Sequence, residues 1–359
     1  MNALSFDIGT EYCAVVEGIA KKDGVEILQA LVHEMPTDYD AGDKALITPY
    51  AADAISQIMR SAGFKTKGAI ITANINYMMI RDFLLPDGKI KELEGMVRNE
   101  MINNYSADST DVIQFIKRPV KNAPEGNPLS GEEENRKDSG QTGIRAVSVK
   151  RDIVDSYYSL LQRLKLTPLA MDFHANAVEK LIRGGNVSIN NMNMTDSAYL
   201  MVDFGSSGTL VHAVTENSVF ISRYIPIGLY DLDKIIADRE FISVAEAKSY
   251  RADKIDLLAE EDPGRGDLMK AVRGFLHQWN DAIQKVAKFF QNRQGLSEIE
   301  SMYLYGAGAL IRGLPEYLSA AAGTNAYRLE SLSGVSFRNN QDQQKIGHCL
   351  NAIGALIRL

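Results

Sequence analysis

Two copies of one short turn, placed about half a chain apart, constrain this sequence more than any other feature. Phe6-Asp7-Ile8-Gly9-Thr10 and Val202-Asp203-Phe204-Gly205-Ser206-Ser207-Gly208 each follow a short apolar run and precede another. After the first turn come Tyr12, Ala14, Val15, Val16, Gly18 and Ile19, then a polar break from Lys21 to Gly24, then Val25 to Val32, which reads as a third strand. The second copy runs through Tyr199 to Phe204, Thr209 to Val214, a Glu216-Asn217 turn and Val219 to Ile225. A strand-turn-strand-turn-strand order that occurs twice is most simply explained by internal duplication.

A tight turn of glycine and small hydroxyl residues exposes backbone N–H groups, and glycine lets the main chain approach an anion closely. Each turn is therefore a candidate phosphate loop, with Gly9, Thr10, Gly205, Ser206, Ser207 and Gly208 supplying the donors. Asp7 and Asp203 would repel a phosphate directly. Their chemistry suits a hydrated magnesium ion that neutralises it, since magnesium keeps several waters and takes one or two carboxylates. A single Asp-x-Gly turn is ordinary hairpin chemistry; its repetition in matching context favours the site. A third element, Ser301 to Tyr305, reads as a strand running into Gly306-Ala307-Gly308-Ala309. There Gly306 and Gly308 would let a flat group lie against the backbone before Pro315 opens a helix ending near Ala322.

Between the turns lies an α+β insertion. Ala69 to Thr72 and Tyr77 to Leu85 read as strands, Lys89 to Tyr105 as a helix, Val112 to Val120 and Gly143 to Val149 as strands, and Asp152 to Leu166 as a second helix. Lys121 to Gly143 has almost no apolar residues and reads as a solvated hairpin loop. Asn186 to Thr195 reads as a surface connector. Leu268 to Gln291 places Leu268, Val272, Phe275, Leu276, Trp279, Ile283, Val286 and Phe290 on one broad helical face, which reads as core rather than a ligand box.

Taken together and in this order, the two acidic turns and the Gly306–Gly308 turn resemble the actin, Hsp70 and sugar kinase superfamily. The likeness narrows to the PilM family, actin-like proteins of type IV pilus assembly. It rests on Arg81 to Pro86 followed by Lys91-Glu92-Leu93-Glu94, Ala146 to Tyr157 (AVSVKRDIVDSY), Leu166 to Ala177 (LTPLAMDFHANA), Ile225-Pro226-Ile227-Gly228, Phe289-Phe290-Gln291, and Ala352-Ile353-Gly354-Ala355-Leu356. The resemblance implies an α/β, actin-like (ribonuclease H-like) duplicated two-lobe ATPase fold with an inserted α+β subdomain. Residues 1–73, 167–195 and 332–359 would form the first lobe, 74–166 the insertion and 196–331 the second lobe. It implies ATP and Mg2+ as cofactors, with Asp7 and Asp203 holding magnesium through water and Gly306 and Gly308 against adenosine. Lys285 or Lys288 would reach toward the nucleoside. It also implies a partner: in PilM, a groove between the first lobe and the insertion takes the N-terminal cytoplasmic tail of the inner-membrane protein PilN. Tyr77, Met78 and Met79 are candidates to line that groove, or to complete the insertion's own core.

The departures from that family set the expected output. Relatives follow the first Asp-x-Gly with hydroxyl residues and then a lysine; here the positions are Thr10, Glu11, Tyr12 and, in the lysine's place, Ala14. Phosphoryl transfer is catalysed by positioning and charge stabilisation, so a missing cation and an added Glu11 argue for a scaffold that is at most a weak ATPase. His174 stands where relatives carry an acidic residue and is the candidate base, although a lone histidine near a helix start also serves as a structural hydrogen bonder. A small-molecule kinase of the same superfold is the enzymatic alternative, and a self-associating filament former like FtsA the structural one.

Composition fits this reading. A chain of 359 residues with 45% hydrophobic content can bury more than one core. A net charge of -7 argues against a general nucleic-acid binder. Cys13 and Cys349 are too few for a disulfide framework or zinc site, which points to a reducing cytoplasm. The N-terminus reads directly into a strand, and no segment has the length of a membrane span. FtsA adds a terminal lipid-binding helix, whereas here the sequence stops at Leu359. Attachment to the inner face of the cell membrane, alongside other pilus assembly proteins, is therefore expected only through a partner.

Overall fold

The computed structural model describes residues 2–22, 24–35, 49–74, 76, 78–118, 140–183, 187–194, 197–259, 266–292 and 298–357. Tyr77, residues 121–139 of the expected loop, Asn186 and Thr195 lie outside these. The chain divides into two compact units: Asn74–Arg163 on one hand, and the described residues before and after it on the other.

The larger unit opens with β1 (Asn2–Ile8), β2 (Tyr12–Lys21), β3 (Gly24–Glu34), α1 (Pro49–Ala62) and β4 (Gly68–Ala73). The smaller unit comprises β5 (Met78–Pro86), α2 (Ile90–Tyr105), β6 (Val112–Arg118), β7 (Gln141–Val149) and α3 (Arg151–Arg163). The chain then returns to the larger unit through β8 (Thr167–Phe173), α4 (His174–Ile182) and the short pair β9 (Ser188–Ile189) and β10 (Met192–Asn193). The second copy follows as β11 (Ala198–Phe204), β12 (Thr209–Thr215), β13 (Ser218–Ile225), α5 (Leu229–Glu240), α6 (Val244–Lys254), α7 (Gly266–Gln291) and β14 (Ile299–Tyr305). A 3-10 turn (Ala307–Leu310), α8 (Leu314–Ala322), β15 (Asn325–Arg328), β16 (Val335–Phe337), α9 (Asn340–Gln343) and α10 (Ile346–Leu356) complete it.

Sheet order makes the duplication explicit. One sheet runs β16-β3-β2-β1-β4-β8 and the other β13-β12-β11-β14-β15. In each, the first three strands in chain order pair antiparallel and the next two run parallel to the first, while β16 adds to β3 in parallel. β11 is buried along nearly its whole length, as its continuous apolar run requires. Between the sheets sit α4 and α10, whose Val178, Ile182, Leu350 and Ile353 share one core with Val16 and Ile70 of the first sheet and Tyr199 and Tyr303 of the second. All the apolar residues of α10 are buried, which explains why HCLNAIGAL is apolar around nearly its whole circumference.

A second core belongs to the second copy alone. The long helix spans Gly266–Gln291, and its eight expected apolar positions are all buried there. Trp279 stacks edge-on against Phe204 at 4.7 Å and donates Nε1–H to Thr209 Oγ1 at 2.6 Å, while Thr209 donates to the Ile227 carbonyl at 2.8 Å. Thus even the indole N–H is satisfied inside the core. Pro315 and Gly323 bound α8, the glycine at φ 67.

Several expectations are corrected. The helix expected over Asp152 to Leu166 stops at Arg163, and Thr167–Phe173 forms a strand that pairs with β4. Residues 141 and 142, expected in the loop, belong to β7. In the connector, Asn190 donates to the Arg328 carbonyl at 2.6 Å and its Oδ1 accepts from Glu330 and Ser331. In the smaller unit, Met79 packs against the cluster of Phe83, Leu93, Val97 and Ile144, and Met78 is half-buried, so neither is a freely exposed apolar residue. Cys13 and Cys349 are free and buried.

One buried group gives the core shared between the sheets a pH dependence, for His212 stands opposite Met201 on the face that carries Val214. His212 on β12 is fully buried, its Nδ1 lies 2.7 Å from Ser222 Oγ, and burial pushes its pKa down from 6.5 to about 3. The unfolded chain then takes up the proton first as the pH drops below 6.5. The stability His212 contributes is complete above that pH and is lost as the pH falls toward 3, by about 2 kcal/mol at roughly pH 5. Urea unfolding of wild type and His212→Asn tests this. Their stability difference should narrow by that amount between neutral pH and pH 5, and a constant difference would show that His212 does not titrate on unfolding.

Candidate functional site

Duplication carries the two aspartates to equivalent places. In the first turn Gly9 N–H donates to the Tyr12 carbonyl at 2.9 Å, and in the second Gly205 N–H donates to the Gly208 carbonyl at 3.1 Å. Asp7 and Asp203 precede these turns by two residues and lie opposite Thr72 and Tyr305 on the parallel neighbour strands. The turns therefore form the same local structure twice. Their glycine N–H groups are committed to closing them, so the expectation that Gly9 and Gly205 donate to a phosphate is corrected. Thr10 in the first turn and Ser206 to Gly208 in the second form the tips.

The two central helices bring the aspartates to common partners. Asn351 of α10 donates Nδ2–H to Asp7 Oδ2 at 3.0 Å and to Asp203 Oδ2 at 2.9 Å. His174, the first residue of α4, places Nε2 3.0 Å from Asp7 Oδ1, and its Nδ1 lies 3.9 Å from Asp203 Oδ2. Burial pushes the Asp203 carboxyl up to about 6, against the opposing pull of His174. Burial alone would lower the His174 pKa; the charge and hydrogen bond of Asp7 outweigh it and the net shift is upward. His174 is thus hydrogen-bonded to one carboxylate, Asp7, through Nε2, while its buried Nδ1 has no hydrogen-bond partner among the described residues.

These observations test the expected magnesium site. A hydrated magnesium ion between two carboxylates needs room for its waters and acceptors aimed at them. Here a single amide nitrogen, whose hydrogens face both carboxylates, lies between Asp7 and Asp203, and a cation-favouring imidazole stands beside them. Among the described residues, no group of three or more His, Cys, Asp or Glu is disposed to hold a metal. The residues present do not fit magnesium at this pair.

Glu11 is a second correction. It does not face outward from the first turn; its carboxylate is buried and accepts from Arg251 Nη2 at 3.0 Å, with Lys248 Nζ at 3.4 Å. Arg251 also grips Asp233 of α5 with Nε at 2.7 Å and Nη2 at 3.3 Å. Lys248 pairs in addition with Glu34 and lies 4.8 Å above the Tyr12 ring. Ala14, in the place of the expected lysine, is buried in the shared core. The cations beside the first turn therefore come from α6, which reading the sequence alone had not found.

The second turn carries a polar tip. Ser206 Oγ is buried with no hydrogen-bond partner among the described residues, and Ser207 is exposed. Gly306, at φ 78, lies so close to Asp203 that a Cβ there would come within 2.3 Å of Oδ1. Gly308, by contrast, is buried, and a Cβ there would come within 2.7 Å of the Phe204 Cβ, so it packs against Phe204. Lys285 and Lys288 are exposed on α7. Asn351 was also missed, although one amide within the apolar run of α10 was its signal in the sequence.

Duplicated sheets of this order, flanking central helices and carrying paired acidic turns, define the actin-like ATPase fold. The comparisons agree. The chain aligns in structure with the PilM–PilN type IV pilus biogenesis complex at a TM-score of 0.76, with 17% identity, covering 99% of this chain and 98% of that one. It aligns with the ethanolamine utilization protein EutJ of Carboxydothermus hydrogenoformans at 0.56, with 13% identity over 100% and 90% of the two chains. MreB5 of Spiroplasma citri bound to AMPPNP follows at 0.50, with 9% identity over 98% and 94%. At these identities the likeness establishes the fold. No curated protein matches by sequence. The family is given by residues 5–354, which match the type IV pilus assembly protein PilM: the chain belongs to the PilM family.

Proposed function

We propose that this chain is an actin-like, nucleotide-binding scaffold of a type IV pilus assembly machine, and that its output is capture of the N-terminal tail of a PilN-like inner-membrane protein. The observation that carries this is the PilM match over residues 5–354, supported by structural likeness to the PilM–PilN complex along nearly the whole chain. Among the described residues no helix is long and apolar enough to cross a membrane, and the proposed tail would bring the chain to the inner face of one.

For nucleotide, the second turn supports the reading best. Ser206, Ser207 and Gly208 would take phosphate, with Thr10 at the tip of the first turn, and Gly306 lets the backbone pass close to Asp203. ATP would supply charge for these donors to hold rather than a reaction to drive: Glu11 is committed to Arg251 and Lys248, and His174 to Asp7. Turnover is therefore expected to be slow or absent. Magnesium at Asp7 and Asp203 would require Asn351 and His174 to leave the carboxylates, so the proposal keeps the nucleotide and not the metal at that pair.

Calorimetric titration of the full chain with ATP, and separately with a synthetic peptide of the partner's N-terminal tail, tests this. Binding of both supports the scaffold. Peptide binding without ATP removes the nucleotide from the proposal, and failure of a folded protein to bind either overturns it.

A further inference from the structure

The acidic pair at the heart of the duplicated turns is met by hydrogen-bond donors of the protein itself. We propose that Asn351 and His174 take the place of a divalent cation in this chain, tying the two turns to the central helices so that the pair of carboxylates is held together without magnesium.

Asn351 presents one nitrogen with two hydrogens, and Asp7 Oδ2 and Asp203 Oδ2 take one each, at 3.0 and 2.9 Å. The opposite amide orientation would set the side-chain carbonyl against two carboxylates, and the Asn351 carbonyl instead faces the Tyr305 hydroxyl at 3.5 Å. An amide nitrogen so placed repels a metal ion, because its hydrogens point where the ion would bind. His174 completes the replacement from α4, with Nε2 on Asp7 at 3.0 Å. The side chains of Asp7 and Asp203 are only 15% and 14% exposed, which makes an uncompensated pair costly. The anion side is filled in the same way: Glu11 lies between Arg251 and Lys248 beside the first turn. Both charges that a metal–phosphate ligand would bring have protein counterparts, and the inference stands whether or not a nucleotide binds.

Thermal unfolding of the full chain in excess EDTA and in millimolar magnesium chloride, at matched ionic strength, is the test. Wild type should melt at the same temperature in both. Asn351→Asp keeps the shape but adds a third carboxylate; it should melt lower in EDTA by roughly 3–6 °C and recover most of that in magnesium. A rise of several degrees for wild type in magnesium would place a cation at the pair and overturn the proposal, as would an Asn351→Asp protein indifferent to magnesium. If Asn351→Asp does not fold, Asn351→Ala removes the shared donor without adding charge and leaves its place between the carboxylates open. It should show the same gain of magnesium response, and its absence would equally overturn the proposal.

Discussion

Replacing Arg251 by methionine is expected to destabilise the folded chain by about 3–5 kcal/mol, the cost of breaking a buried ion pair from one side. Arg251 is buried, and its guanidinium is shared between Asp233, which has no solvent exposure, and Glu11. Without it Asp233 would be left as a buried carboxylate stripped of its guanidinium, while Glu11 would keep Lys248 at 3.4 Å. Most of the loss should therefore trace to Asp233. Urea unfolding of Arg251→Met, Asp233→Leu and the double variant checks this: the double variant should recover much of the single loss, because removing both charges leaves nothing unpaired. Arg251→Lys should recover little, since Asp233 is held by two nitrogens of one planar fork, a geometry lysine cannot reproduce. A loss below about 1 kcal/mol for Arg251→Met would mean that water replaces the guanidinium and that the cluster adds almost nothing to the fold.

The contrast between what the sequence disclosed here and what it concealed has a physical cause. The duplicated turns, the long core helix and the helix opened by Pro315 depend on residues close together in the chain. Glycine placement, apolar spacing and capping residues report such features directly. The groups that decide the chemistry of the turns are far apart. Asn351 reaches Asp7 across 344 positions, and Arg251 reaches Glu11 across 240. Read locally, Glu11 beside Thr10 is an acid in the path of a phosphate; only the packing of α6 against the first turn makes it half of an internal ion pair. His174 illustrates the same limit. Its place at a helix start was legible, but which carboxylate it would meet followed from the two central helices lying between the sheets. β8 was missed for a different reason: it is an edge strand, half exposed along much of its length, and so lacks the continuous apolar run that marks its buried neighbours.

The second large effect is expected at Gly228, which begins α5 against the second turn. Leu229 N–H donates to the Gly205 carbonyl at 3.0 Å and Tyr230 N–H to the Ser206 carbonyl at 3.1 Å, so the helix start is fastened to the turn by its backbone. This fastening needs an approach with no side chain: a Cβ on Gly228 would lie 2.2 Å from the Ser206 carbonyl oxygen and 2.6 Å from the Gly208 nitrogen. Both are main-chain atoms of a closed turn and cannot swing aside as a flexible side chain would. Gly228→Ala should therefore cost about 3 kcal/mol, at the upper end for overpacking. Because the displaced atoms belong to the proposed phosphate cradle, it should also abolish any thermal shift that ATP gives the wild type. Gly274→Ala supplies the control: it lies within α7, a Cβ there meets nothing within 4 Å, and it should stabilise the helix by roughly 0.5–1 kcal/mol while leaving the ATP response intact. If Gly228→Ala proves as stable and as responsive as Gly274→Ala, then α5 does not hold the second turn, and Ser206 to Gly208 are not positioned by it.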